Sequence, residues 1–159
     1  LGTIMTDLSE FHLKSRSKGD LERPIGRVHG DFDPWQILVA DSSYTVIDWE
    51  DSIESAEQYS DVLSFIFMTA IIGSQSRKLS DRVTSVLNPE PRVSSLLRHA
   101  LETYTESDNS TAKDLLNYTS KYSEGKLSRL ERLGRNADDF IYSDLLAVSA
   151  KDFRWFNER

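Results

Sequence analysis

Two short apolar runs that end in polar side chains constrain the fold of this chain more than any other feature. The first run, at positions 27–39, reads RVHGDFDPWQILV, and the second, at 44–50, reads YTVIDWE. β-Branched and aromatic residues favour strands, and the polar residues at 41–43 indicate a turn, so we expect the runs to fold as a β-hairpin. Such a hairpin would bring three polar side chains to one end: Asp31, Gln36 and Asp48.

These side chains suit a magnesium-dependent phosphoryl transfer site. A transferring phosphoryl group needs little covalent help, so a protein holds metal ions against the phosphates with oxygen ligands and directs the attacking hydroxyl toward a carboxylate. We expect Asp31 to orient that hydroxyl as the base. Gln36 would offer its side-chain carbonyl oxygen to a metal ion, and Asp48 would offer charged oxygens to the same ion or its neighbour.

The pattern resembles the catalytic core of a known family. The loop HGDFDPWQ at 29–36, the strand end IDWE at 47–50 and the later DVL at 61–63 are similar to motifs of the aminoglycoside phosphotransferase and choline kinase superfamily of protein-kinase-like small-molecule kinases. The usual family form is HGDxHxxN, then a strand ending in I-D, then a helix beginning near D-L-A. The resemblance covers residues 27–65 of the chain.

The resemblance implies a fold and a set of roles. The fold would be α+β and mainly α-helical, a protein-kinase-like C-terminal lobe with a small β-hairpin that carries the catalytic loop and the metal-binding Asp. Asp31 would be the catalytic residue, and Asp48 and Gln36 would hold Mg²⁺, with ATP as co-substrate. Asp61 would be a structural acid that steadies the catalytic loop. The resemblance assigns no nucleotide-contacting residue in this chain.

Two more residues are candidates for supporting roles. His29 is expected to fix the loop backbone through a hydrogen bond rather than to touch substrate. Glu50 is expected either to be solvated or salt-bridged or to assist a second metal ion.

Three positions depart from the family form. Asp33 stands where a second His is usual, Trp35 where a small residue is usual, and Gln36 where Asn is usual. Gln at this position is similar to the maltokinase branch, which favours a sugar such as maltose as the small-molecule acceptor. The PW and IDWE residues are instead similar to less-characterised family members, so the acceptor stays open.

The glycine-rich phosphate loop and the strand lysine of such kinases have no counterpart in this sequence, since none of its seven glycines has GxGxxG spacing. We therefore expect residues 1–159 to be a kinase-like C-terminal lobe whose N-terminal nucleotide-binding lobe is absent from this chain. The isolated chain is expected to be inactive.

The charge and composition of the chain limit the kinds of partner and the location that we expect for it. The net charge of −7 argues against a nucleic-acid surface, which needs clustered Lys and Arg. The longest apolar stretch, at 62–72, is too short for a membrane span, which takes roughly 20 residues. The chain has no cysteine and no signal-like segment, so the expected location is the cytoplasm.

Apolar residues at helical spacing predict the remaining architecture. Helices are expected near 1–13, 57–73, 89–104, 115–133 and 140–156. Asn88 and Pro89 would begin the third of these, and Gly125 is a candidate break in the fourth, which Gly134 would end. Asn136 would cap the last helix.

Two alternatives to an active kinase remain. The departures at 33, 35 and 36 and the missing lobe also fit an inactive kinase-like binding or regulatory module. The other alternative is a plain helical interaction domain in which the HGD triplet is coincidental.

Overall fold

The computed structural model describes residues 1–16, 25–74, 78–108, 111–136 and 141–157. Over these residues the chain is α+β and mostly helical, which confirms the predicted fold class at that level. The strands are β1 (Ile25–Val28), β2 (Ile37–Ala40), β3 (Ser43–Val46) and β4 (Ile53–Glu57). The helices are α1 (Gly2–Ser15), α2 (Tyr59–Ser74), α3 (Leu79–Leu87), α4 (Pro91–Asp108), α5 (Ala112–Asn117), α6 (Thr119–Arg132), α7 (Tyr142–Leu145) and α8 (Arg154–Asn157).

The predicted hairpin is present as the β2–β3 pair. Ile37 lies opposite Val46 and Ala40 lies opposite Ser43, with Asp41 at the turn in the left-handed conformation at φ 49°. Asp is one of the few side chains that tolerate this backbone, because its short polar group can bond locally. The hairpin is therefore closed by the residues that the sequence marked as a turn.

The first apolar run does not pair as a whole with the second run in one hairpin, as was predicted. It divides into β1 and β2, and residues 29–36 between them form a loop that ends in a 3₁₀ turn at Pro34–Gln36. β1 pairs antiparallel with β4, which the sequence analysis did not predict. The polar loop is consequently held between two small sheets rather than at the end of a single hairpin.

The core is built around α2, the most apolar helix. Its buried side chains include Val62, Leu63, Ile66 and Phe67, none of which has measurable exposure. Burial of each such side chain is worth about 1.5–3 kcal/mol. α2 contacts α3, α4 and α6, while α1 packs along α4. The predicted apolar face of α1 is confirmed, with Met5, Leu8 and His12 buried.

Several helix boundaries differ from the prediction. α3 was not predicted, and Asn88 follows its end instead of beginning the next helix, which starts at Pro91. Proline suits the first helical turn because its missing N–H has no partner there in any case. Gly125 lies inside α6 and does not break it; the break falls at Tyr118, between α5 and α6.

The predicted last helix is divided into short pieces. α7 is followed by a 3₁₀ turn at Ala150–Asp152 and then by α8. Ser149 and Asp152 form a capping box, which starts a new turn and so interrupts a continuous helix. Phe140 and residues 137–139, which follow the expected cap at Asn136, lie outside the described residues.

None of the described helices combines the length and apolar character that a membrane crossing requires.

Candidate functional site

The loop that carries Asp31 is fixed by the buried carboxylate of Asp61, in the first turn of α2. The backbone N–H of His29 donates to Asp61 Oδ2 at 2.7 Å, and that of Gly30 donates to Oδ1 at 2.9 Å. Both oxygens of one carboxylate thus hold successive peptide groups. This is the contact that the predicted supporting role of Asp61 requires.

A third hydrogen bond to the Asp61 carboxylate comes from another helix, α1. His12 Nε2 lies 3.1 Å from Asp61 Oδ2, and His12 Nδ1 lies 2.8 Å from the hydroxyl of Tyr104. The Nε2–H tautomer satisfies both contacts, because it donates to the carboxylate and accepts from the phenol. His12 and Asp61 are both buried, so α1, α2 and α4 together position the loop.

Gly30 brings this loop against the turn that follows Asp48. Its φ is +89°, and a Cβ placed there would lie 2.4 Å from the carbonyl oxygen of Asp51. Any other residue would meet both the unfavourable backbone conformation and this steric clash. The glycine of the HGD triplet is therefore required by the contact between the two loops.

His29 links the same two segments through its side chain. Its Nε2 lies 2.8 Å from the carbonyl oxygen of Ile47, the residue before Asp48, and its ring lies 4.7 Å from that of Trp49. The histidine is fully buried. His29 therefore holds the backbone just before Asp48, and this contact is the kind that its predicted supporting role requires.

Asp31 is partly exposed and faces α6. Its side chain is 34% exposed, and Lys126 Nζ lies 3.0 Å from its Oδ1. The carboxylate lines a cavity of about 310 Å³ together with Lys126, Arg129 and Tyr142. A ligand in this cavity can reach Asp31 directly.

Gln36 and Asp48 lie at the end of the hairpin nearest the loop. The backbone N–H of Ile47 donates to the Gln36 carbonyl at 2.9 Å, which places Asp48 one residue beyond the last pair. Gln36 Oε1 is buried and has no hydrogen-bond partner in the part of the chain that the structure describes. Asp48 is exposed, in the left-handed conformation at φ 66°.

The structure therefore brings the three predicted residues onto adjoining segments but not into one cavity. The cavity that Asp31 lines is not lined by Gln36 or Asp48. Within the described ranges no group of three or more acidic, histidine or cysteine side chains forms a metal-binding cluster. Glu50 is exposed within the 3₁₀ turn Trp49–Asp51 that follows Asp48.

Asp33 is an internal carboxylate rather than a solvent-facing loop residue. It is almost completely buried and accepts a hydrogen bond from Ser64 Oγ at 2.6 Å, and Ser64 in turn accepts one from Tyr122 at 3.2 Å. The pKa of Asp33 is raised to about 6, chiefly by burial; the Ser64 hydroxyl opposes this rise and the nearby charge of Asp31 adds to it. Asp33 stands at the N-cap position of the 3₁₀ turn, but its side chain makes no capping hydrogen bond and bonds to Ser64 of α2 instead.

The basic residues of α6 that face Asp31 were not among the predicted site residues. Lys126 contacts Asp31, and Arg129 contacts Asp51 in the neighbouring turn. The signal was present in the sequence as basic residues that recur every three residues, at 126, 129 and 132, on a predicted helix. What it did not show was which loop those residues would meet.

Comparisons with protein-family models, with curated proteins and with solved structures found no match to this chain.

Proposed function

We propose that this chain is a kinase-like C-terminal lobe that supplies the base and the magnesium ligands for ATP-dependent phosphotransfer to a hydroxyl of a small molecule, a sugar by the resemblance described above. The observation that carries the proposal is the double acceptance by Asp61 of the His29 and Gly30 amides. It holds a rigid loop on which the next residue, Asp31, faces a cavity.

Asp31 is suited to orient an attacking hydroxyl. Lys126 engages its Oδ1, so the carboxylate is held in one orientation, and Oδ2 has no hydrogen bond within the described part of the chain. A hydroxyl that donates to Oδ2 would be directed by a charged acceptor toward the phosphoryl group. Phosphoryl transfer depends mainly on such positioning and on charge stabilisation.

The residues at the hairpin end fit Mg²⁺, which prefers oxygen ligands. Gln36 Oε1 is an acceptor with no partner in the described residues, and the exposed Asp48 follows Ile47, whose backbone N–H donates to the Gln36 backbone carbonyl. These two side chains would hold the ion, and a bound ion would supply positive charge to the phosphates of ATP. His29 and Gly30 tie this end of the hairpin to the Asp31 loop.

Replacement of the base tests the function. In the full-length protein, incubated with ATP and a panel of sugars that includes maltose, Asp31→Asn is expected to lower phosphotransfer by about 10²–10⁴-fold, the usual contribution of a general base. Asp41→Asn at the exposed hairpin turn removes the same charge and should leave the rate unchanged. Activity of Asp31→Asn equal to that of the parent protein would show that the HGD triplet is coincidental.

Replacement of the metal ligand tests the magnesium site separately. Asp48→Asn is expected to weaken Mn²⁺ binding, measured by electron paramagnetic resonance, by at least about tenfold, because a charged ligand is lost. Asp41→Asn is a matched control, since both aspartates are exposed and both have positive φ, which Asn also tolerates. An inactive binding module would give the same Mn²⁺ affinity in both variants.

A further inference from the structure

Positive charge is concentrated around Asp31 although the chain as a whole carries −7. Two cavities adjoin at Lys126 and Arg129, which line both of them. The first, of about 340 Å³, is also lined by Lys121 and Arg132, and the second, of about 310 Å³, by Arg135. Each cavity has one acidic residue among its lining residues, Glu57 in the first and Asp31 in the second.

The cations come from one face of α6 and the turn after it. Lys121, Arg129 and Arg132 recur at spacings that place them on a common side of a helix. The acidic residues of the same helix, Glu124 and Glu131, line neither cavity. The basic side chains of α6 therefore line the cavities, and its acidic side chains do not.

Some of these cations are already paired, and others are available to a ligand. Lys121 contacts Glu57, Lys126 contacts Asp31, and Arg129 contacts Asp51. By contrast, the side chains of Arg132 and Arg135 make no hydrogen bond or ion pair with any residue that the structure describes, and both are exposed. Two guanidinium groups therefore remain beside the paired cations, and a guanidinium binds phosphate or carboxylate oxygens through two parallel N–H donors.

The first cavity also has room and apolar walls for the body of a ligand. Gly125 lies in its lining, and a Cβ there would meet no atom within 4 Å. Val28, Ile53 and Leu63 contribute apolar surface beside the basic side chains. Cavities of this size, with apolar walls and a few convergent polar groups, are typical of small-molecule sites.

We infer that the acceptor is an anionic hydroxyl compound, such as a sugar that carries a phosphate or a carboxylate, with its hydroxyl at Asp31 and its anion at the unpaired arginines of the two adjoining cavities, Arg132 in the first and Arg135 in the second. This inference rests on the proposed function. It excludes a neutral sugar such as unmodified maltose as the preferred acceptor, because a neutral ligand has no charge with which to pair these cations.

The test compares charged and neutral members of the same ligand pairs. Binding of hexose phosphates and hexuronates to the full-length protein, without ATP, is measured by titration calorimetry against the parent hexoses and maltose. At least one anionic ligand is expected to bind about tenfold or more tightly than its neutral counterpart. The double variant Arg132→Gln/Arg135→Gln should remove most of that preference, whereas the charge-matched control Arg92→Gln/Lys113→Gln, at exposed positions on α4 and α5, should keep it.

Equal affinity for every charged and neutral pair would overturn the inference, as would an equal loss in the control. The inference would also be overturned if the double variant weakened the binding of Mg·ATP and left the binding of anionic sugars unchanged, because the two arginines would then serve the phosphate donor. The proposed function fails separately, if Asp31→Asn leaves phosphotransfer unchanged. A protein whose transfer depends on Asp31 but which uses neutral hexoses as well as their phosphates would retain the function and lose the inference.

Discussion

At the scale of single residues, two buried carboxylates near the HGD loop differ in how fully they are satisfied. Asp61 accepts hydrogen bonds from two backbone amides and from His12. Asp33 accepts one, from Ser64, and burial raises its pKa to about 6. A buried charge is tolerated when hydrogen bonds replace its lost hydration, and Asp33 has fewer of them.

This difference gives the protein a pH-dependent stability that originates at Asp33. Its pKa is higher in the folded chain than the ordinary value of 3.8, so the folded state binds the proton more tightly than the unfolded state does. The contribution is fully present below about pH 4 and is lost as pH rises through about 6. Asp33→Asn keeps an acceptor for Ser64 without the charge, and should be more stable than the parent at neutral pH by on the order of 2 kcal/mol.

Urea unfolding between about pH 4.5 and pH 7.5 measures this effect. The difference in free energy of unfolding between Asp33→Asn and the parent should grow as pH rises through the pKa of Asp33. Asp41→Asn, at the exposed turn, should show no such growth. A difference that stays constant over the range would assign the effect to packing instead of to proton binding.

At the scale of elements, α6 continues through Gly125 although the sequence suggested a break there. A glycine inside a helix costs only about 1 kcal/mol relative to alanine, and tertiary packing offsets costs of that size. Tyr122, one turn earlier, is buried against Phe67 of α2, with the ring centroids 5.5 Å apart. The packing of α6 against α2 therefore decides the course of the helix at Gly125.

Gly125→Ala is expected to stabilise the chain by about 0.5–1 kcal/mol, because alanine is less flexible in the unfolded state and its methyl group meets no atom within 4 Å. Thermal or urea unfolding at constant pH measures the change. Gly134→Ala is a control with the opposite expected sign. Its Cβ would also meet nothing within 4 Å, but Gly134 has φ +67°, so this variant should lower the free energy of unfolding by about 1–2 kcal/mol. Equal effects at the two glycines would contradict the role assigned to backbone conformation.

At the scale of the whole molecule, local patterns were sufficient for some parts of the fold and insufficient for others. The β2–β3 hairpin and the buried helix α2 follow from turn residues and apolar spacing within short windows. β4 has the sequence IESAE, with little strand propensity, and forms because β1 pairs with it. No window that contains β4 alone could have shown this.

In the candidate site, too, residues close together in the sequence could be predicted, and residues from distant parts of the chain could not. The sequence placed Asp31, Gln36 and Asp48 near one another because they lie within one short segment. Lys126 contacts Asp31 from 95 positions away, so its part in the site became visible only when α6 was folded against the loop. The net charge of −7 gave no indication that the first cavity would be lined by basic side chains.

The close approach of Gly30 to Asp51 also bears on how such a chain can diverge in evolution. Since the two loops touch backbone to backbone, an insertion in either would displace the other. The opposite end of the hairpin, at 41–43, is exposed and can lengthen freely. Related chains that keep the chemistry should therefore vary in length at the far turn and keep constant the lengths of the two touching loops, at 29–36 and at 47–52.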